Sequence, residues 1–119
     1  MSSFLPDPAT TAEISPSAVA AWINLPPDQR PRLIDCREAD ELAICKLPGI
    51  EWIPLGAFPE RWQALISNPN LGVVIYCHHG MRSLHAAMFL RSKGCANAFS
   101  MSGGIDLWST SVDPDIPRY

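Results

Sequence analysis

The residues best equipped for chemistry lie in VVIYCHHGMRS, where an apolar run from Val73 to Tyr76 delivers Cys77 into a short loop closed by Arg82 and Ser83. Leu84, Ala87, Met88 and Leu90 follow at helical spacing until Gly94, so the loop joins a strand's carboxyl end to a helix's amino end. A helix start offers unpaired N–H groups and the positive end of the helix dipole, and both favour a sulfur anion over a thiol. Cys77 is therefore placed as a nucleophile. Gly80 gives the tight loop its conformational freedom, and Arg82 supplies a permanent cation able to hold an anion. His78, His79 and His85 surround the cysteine, yet consecutive residues point in different directions, whereas structural zinc wants pairs separated by two to four residues; no metal is expected.

Positioning such a loop requires a sheet. Ser15 and Pro16 open a helix through SAVAAWIN that Pro26 and Pro27 end, and the short apolar run RLIDC follows. EADELAI reads as a turn or two of helix and IEWIPL as a strand. From Gly56 to Ile66 a helix places Phe58, Trp62, Leu65 and Ile66 on one face, and Asn68, Pro69 and Asn70 break it. AFSM reads as a last strand, Gly103 and Gly104 as a turn before a helical turn with Trp108, and VDPDIPRY as a tail over the surface. Short apolar runs alternating with amphipathic helices predict an α/β fold: a central parallel sheet of about five strands with helices on both faces. Ligands in such sheets bind beyond the strands' carboxyl ends, where both Cys77 and the Asp35 to Arg37 segment fall.

At 119 residues the chain has room for one core, read as an extended lead-in over 1–12 and a single domain over 13–119. Its formal net charge of -3 without a basic run argues against nucleic acid. No apolar run approaches the roughly 20 residues needed to cross a bilayer, and the amino terminus lacks a signal-like core, so no membrane association and a cytoplasmic location are expected. Cys36, Cys45, Cys77 and Cys95 show no CxxC spacing and no disulfide framework is expected. Cys36 and Cys95 read as structural. Cys45, expected in a loop beside Lys46, is the candidate for a second, exposed thiol that resolves or accepts sulfur.

LIDCRE with Glu41, LPGI, IPL, VIYCHHGMRS and MSGGIDLW occur in the order and at the distances that resemble the rhodanese, or thiosulfate sulfurtransferase, family in its single-domain form. The resemblance implies that Cys77 carries a persulfide sulfur, that His78, His79, Gly80, Met81, Arg82 and Ser83 form the surrounding substrate loop, and that Asp35 and Arg37 support it. It implies no cofactor. It further implies a small anionic sulfur donor, thiosulfate first, and cyanide, a thiol or a protein as acceptor. Gly103, Gly104 and Trp108 match a structural segment, and Lys46 stands where the family commonly has histidine. Six residues run from Cys77 to Arg82 inclusive, one fewer than in the related cell-cycle phosphatases, which suits sulfane sulfur better than phosphate. Two other readings use the same residues: a regulatory or binding module of this fold, and a thiol-redox or arsenate-reducing enzyme pairing Cys77 with a resolving cysteine.

Overall fold

A computed structural model describes residue 6 and residues 11–66 and 71–119. The expected break at 68–70 and most of the 1–12 lead-in lie outside the described residues.

Four residues of VVIY are buried in β4 (Val73–Tyr76), as they must be in a sheet covered on both faces. β4 pairs in parallel with β2 (Arg32–Asp35) on one side and β5 (Ala98–Met101) on the other. Two short strands complete the sheet, β3 (Glu51–Trp52) beside β2 and β1 (Glu13–Ile14) beside β5. The order β1-β5-β4-β2-β3, parallel throughout, is the α/β architecture expected from the alternation of runs and helices. β1 is a strand the sequence does not announce. Two residues carry no periodicity, and their pairing with Ser100 and Met101 alone makes them a strand.

Side-chain alternation sorts the core into two faces. Ile34, Val73, Ile75 and Ala98 pack towards α3 (Phe58–Leu65) and α4 (Met81–Ser92), together with Cys36 and Cys77 beyond the strand ends. Leu33, Val74, Tyr76, Phe99 and Met101 pack on the opposite side with α1 (Pro16–Ile23) and α5 (Gly104–Ser111). Ser15 caps α1 by accepting the Ala18 N–H at 3.2 Å, and Pro16 occupies the first turn, where no N–H is needed. The helix then buries Val19 and Trp22, and Trp22 meets Phe99 edge-on at 6.0 Å.

α4 departs from the expected face. Ser83, Ala86, Ala87 and Leu90 are its buried residues, while Met88 is half exposed and Leu84 only partly covered. The buried side is mostly small, so the helix approaches the sheet closely and brings Ser83 beneath the end of β4. Of the expected residues Ala87 and Leu90 are buried, and the small Ser83 and Ala86 complete the face in place of Leu84 and Met88.

The remaining elements cross the carboxyl edge of the sheet. α2 (Ala39–Ile44) opens with a capping box in which Glu38 and Glu41 exchange backbone bonds. A 3-10 turn (Leu55–Ala57) leads into α3. Among the described residues no helix is long and apolar enough to cross a membrane.

Candidate active site

β4 ends at Tyr76, and the chain turns through Cys77, His78 and His79 to Gly80, whose φ of 108° is open chiefly to glycine. That turn aims the Gly80 N–H back at the Cys77 sulfur, 3.1 Å away. The Ser83 N–H also reaches the sulfur, as does the Ser83 hydroxyl at 3.5 Å. Ser83 is in turn 2.7 Å from the Ser100 hydroxyl on β5 and 3.2 Å from the Gly80 carbonyl, so a small buried hydroxyl relay underlies the cysteine.

Cys36 is the sulfur's lateral neighbour. Asp35 pairs with Tyr76 in the β2–β4 register, and the Cys36 N–H bonds the Tyr76 carbonyl at 3.1 Å, which sets Cys36 and Cys77 side by side one step beyond the strands. Both thiols lie on the same core face. The neighbouring Cys36 thiol, with Ser83 and Gly80, outweighs burial and lowers the Cys77 pKa to about 4, while the same proximity pushes Cys36 above the usual thiol range. The pair thus favours a proton on Cys36 and the charge on Cys77.

A pH prediction follows. Between about 8.5, the ordinary thiol value, and about 4, the folded protein keeps Cys77 ionised where the unfolded chain would protonate it. The stabilisation linked to this group is thus fully present above the ordinary thiol value and fades as pH falls through the folded value. Iodoacetamide alkylation of Cys77 followed by peptide mapping should proceed at a near-constant rate from pH 8 down to about 5 and halve near pH 4. A rate that halves near pH 8 to 9 would show an ordinary thiol. Because Cys77 is 1% exposed, only a small or slender reagent meets the sulfur.

The loop is held from behind by α5. The Ile105 and Asp106 N–H groups donate to the Cys77 and His78 carbonyls at 2.9 and 3.1 Å, which fixes the orientation of the first two peptide groups of the loop. A β-carbon on Gly104, at φ 63°, would collide with both carbonyl oxygens. Gly103 and Gly104 thus place the loop without touching the chemistry.

Asp35 and Arg37 do not face the sulfur. Asp35 has the side-chain parity of Leu33, opposite to that of Cys36 and Cys77, and its carboxylate accepts three bonds from the Arg37 guanidinium at 2.8 to 3.1 Å. Both residues are fully buried. Arg37 also donates to the Cys45 carbonyl at 2.6 Å and to the Tyr119 hydroxyl at 2.7 Å, pinning the α2 segment and the carboxyl-terminal tail to the sheet edge. The tail does lie over the surface, but over this part of it: Tyr119 also donates to Glu41 at 3.0 Å and stacks on the His78 ring at 3.8 Å. His79 is exposed, with Nδ1 3.9 Å from Asp106, and Met81 is 70% exposed at the rim.

Arg82 is not a free cation here. Its guanidinium makes a two-pronged pair with Glu41 at 2.7 and 2.9 Å, which holds the Glu41 carboxyl down at about 2. The pair is nearly neutral, so its pull on an anion is muted until the carboxylate is removed. For Glu41→Gln, which keeps the capping geometry, the affinity of the site for a small anion should rise several-fold, whereas Arg82→Ala leaves Glu41 unbalanced and should lower it on the order of 10-fold or more. Equal affinities in both variants and the parent, across a range of salt, would remove this pair from anion recognition.

Sequence reasoning missed Cys36, Glu41, Ser100 and Tyr119 as parts of the site. Only Cys36 left a signal: it follows a strand of the same length as β4 and stands in the same relation to its end. Among the described residues no three His, Cys, Asp or Glu side chains converge as metal ligands.

A parallel sheet that delivers a buried cysteine into a short loop at a helix amino terminus, covered by helices on both faces, defines an α/β protein with a cysteine at its sheet's carboxyl edge. More particularly, the chain belongs to the Rhodanese-like domain family, whose model matches residues 15–111. It is 38% identical over 91 residues to the rhodanese-like/PpiC domain-containing protein 12, chloroplastic, of Arabidopsis thaliana, covering 74% of this chain and 30% of that protein. It is 35% identical over 92 residues to the adenylyltransferase and sulfurtransferase MOCS3-2 of Zea mays, covering 73% of this chain and 19% of that protein. The chain thus spans less than a third of either relative. Among solved structures, the human single-domain sulfurtransferase TSTD1 is 25% identical, with a TM-score of 0.71 over 85% of this chain and 97% of that one. The thiosulfate sulfurtransferase of Pseudomonas aeruginosa, at 20% identity, shares the fold with a TM-score of 0.77 over 92% of this chain and 21% of that one.

Proposed function

We propose that this chain is a sulfurtransferase in which Cys77 takes sulfane sulfur from a small anionic donor, thiosulfate first, and passes it to cyanide, a thiol or a protein acceptor. The observation that carries the reading is the Cys77 sulfur held by the Gly80 N–H at 3.1 Å, with Ser83 and Cys36 beside it and its pKa lowered to about 4. Such a group is an anion at neutral pH and needs no base to activate it.

In the first half-reaction the Cys77 thiolate attacks the outer sulfur of thiosulfate. The sulfur–sulfur bond of the donor breaks, sulfite leaves with its electron pair, and Cys77 carries a persulfide anion. In the second, cyanide attacks the outer sulfur, thiocyanate leaves, and the thiolate is restored; charge balances in each step. The amides of the His78–Ser83 loop stabilise both anions without offering a proton acceptor, so the charge moves outward by one sulfur within the same cradle. Arg82 is the cation that meets the donor, with Glu41 setting how much of its charge is felt. Asp35 and Arg37 act through the loop's support as positioning residues. Met81 and His79, exposed at the rim, stand where an acceptor approaches. All four cysteines are free, which suits a reducing compartment such as the cytoplasm.

The test is steady-state thiocyanate formation with thiosulfate and cyanide varied together. Parallel double-reciprocal lines are expected of a carrier that is loaded and then discharged. Intersecting lines, or no thiocyanate above the uncatalysed rate with any sulfane donor, would contradict the proposal and favour a module that binds without turning over.

A further inference from the structure

Cys36 does more than a buried small hydrophobe requires. It is fully buried, belongs to the same core face as Cys77, and follows β2 as Cys77 follows β4. The two occupy lateral positions just beyond the β2–β4 pairing, where neighbouring strands run about 4.8 Å apart, inside the roughly 4.4–6.8 Å between Cα atoms that a disulfide spans. Neither Cys45 nor Cys95 lies among the groups that act on Cys77.

We propose that Cys36 is the resolving thiol of this site: when a hydroperoxide oxidises Cys77, Cys36 closes a Cys36–Cys77 disulfide that stops the nucleophile reversibly. The inference rests on Cys77 being an anionic nucleophile and not on its carrying sulfane sulfur. In the first step the Cys77 thiolate attacks one peroxide oxygen, the oxygen–oxygen bond breaks, and an alkoxide or hydroxide leaves and takes a proton from water. Cys77 is now a sulfenic acid. In the second, the Cys36 sulfur attacks the Cys77 sulfur, and the Cys36 proton departs with the sulfenic hydroxyl as water. The two thiols have together given up two electrons, the hydroperoxide has accepted them, and an external dithiol returns them.

Local electrostatics give the order of events. While Cys77 is an anion, its contact with Cys36 is the chief reason that Cys36 stays protonated and unreactive. Oxidation removes that charge and leaves an electrophilic sulfur in its place, so the Cys36 sulfur attacks as its proton departs with the hydroxyl. Full burial keeps external reagents from Cys36, so its accessible electrophile is the sulfur beside it. The alternative fate of a sulfenic acid, further oxidation to sulfinic and sulfonic acid, is irreversible without a dedicated repair enzyme.

The experiment uses the full chain carrying Cys45→Ser and Cys95→Ser. It is treated with hydrogen peroxide, quenched with an alkylating agent, and read by intact mass and peptide mapping. The expected product has lost two hydrogens and gained no oxygen, its Cys36 and Cys77 peptides are linked, and dithiothreitol restores both thiols in full. Adding Cys36→Val should divert Cys77 to the sulfinic and sulfonic forms, which dithiothreitol does not reverse. Sulfinic or sulfonic Cys77 without linked peptides in the Cys36-containing protein would overturn the proposal, as would full recovery of the Cys36→Val variant. If that variant does not fold, the peptide map of the parent decides alone. Sulfur loading of the untreated parent by thiosulfate is measured in parallel, so failure of the transfer reading and failure of the disulfide are separate results.

Discussion

Cys77→Ser should abolish sulfur transfer, lowering kcat/KM for thiocyanate formation by at least on the order of 10³-fold, with the fold kept and only the pH dependence of melting linked to Cys77 removed. Serine is close in shape, accepts the same Gly80 N–H and fits beneath the same loop, so a structural cause for the loss is removed. What disappears is the anion. A hydroxyl does not ionise near neutral pH even with the Gly80 and Ser83 donors around it, and an alcohol has no stable counterpart to the persulfide. Residual activity within 10-fold of the parent would mean that the turnover belongs to another thiol, and Cys45, partly exposed, would then be the candidate to examine.

Arg37→Ala should produce the largest loss of stability, on the order of 3–5 kcal/mol, because it strands the Asp35 carboxylate in a fully buried position. The same substitution removes the anchor for the Cys45 carbonyl and for Tyr119, so the α2 segment and the tail lose their tie to the sheet edge. Thermal or urea unfolding measures it directly. Activity per folded molecule is the second readout: a fall of less than about 10-fold fits a positioning role, because the guanidinium faces away from the sulfur and reaches the loop only through Tyr119, Glu41 and Arg82. A stability change under about 1 kcal/mol would mean that the pair is solvated and that its enclosure is misread.

The contrast between these two residues shows how far the sequence could be read. The strand–loop–helix around Cys77 is local: an apolar run, a glycine and a helical repeat occur within a score of residues, and the structure places β4, the loop and α4 in that order. The parallel sheet and its two covered faces follow from the same alternation. Three features depend on contacts that no local pattern encodes. Cys36 reads as a structural thiol until the β2–β4 register sets it beside Cys77. Arg82 reads as an open anion site until α2 brings Glu41 across to it, and VDPDIPRY reads as plain surface chain until Tyr119 arrives over His78. The stripe of α4 is only half legible for a different reason, since close packing against the sheet keeps Ala87 and Leu90 but selects Ser83 and Ala86 over Leu84 and Met88.

Those misreadings alter the electrostatics more than the architecture. The loop's amides alone would favour a thiolate. Cys36 strengthens that preference, and Glu41 meanwhile reduces the net positive charge that an approaching donor meets. The site is therefore expected to ionise its nucleophile strongly and to attract anions only modestly, a combination under which the identity of the donor depends on fit around Cys77 as much as on charge.

The most direct measurement is the intact mass of the protein after brief exposure to thiosulfate and removal of excess donor. The account predicts a gain of one sulfur atom on the parent, mapped to Cys77, lost on addition of cyanide with one equivalent of thiocyanate formed, and never seen on Cys77→Ser. An unchanged mass with thiosulfate, polysulfide and a mercaptopyruvate-type donor alike, or a sulfur retained by Cys77→Ser, would contradict it.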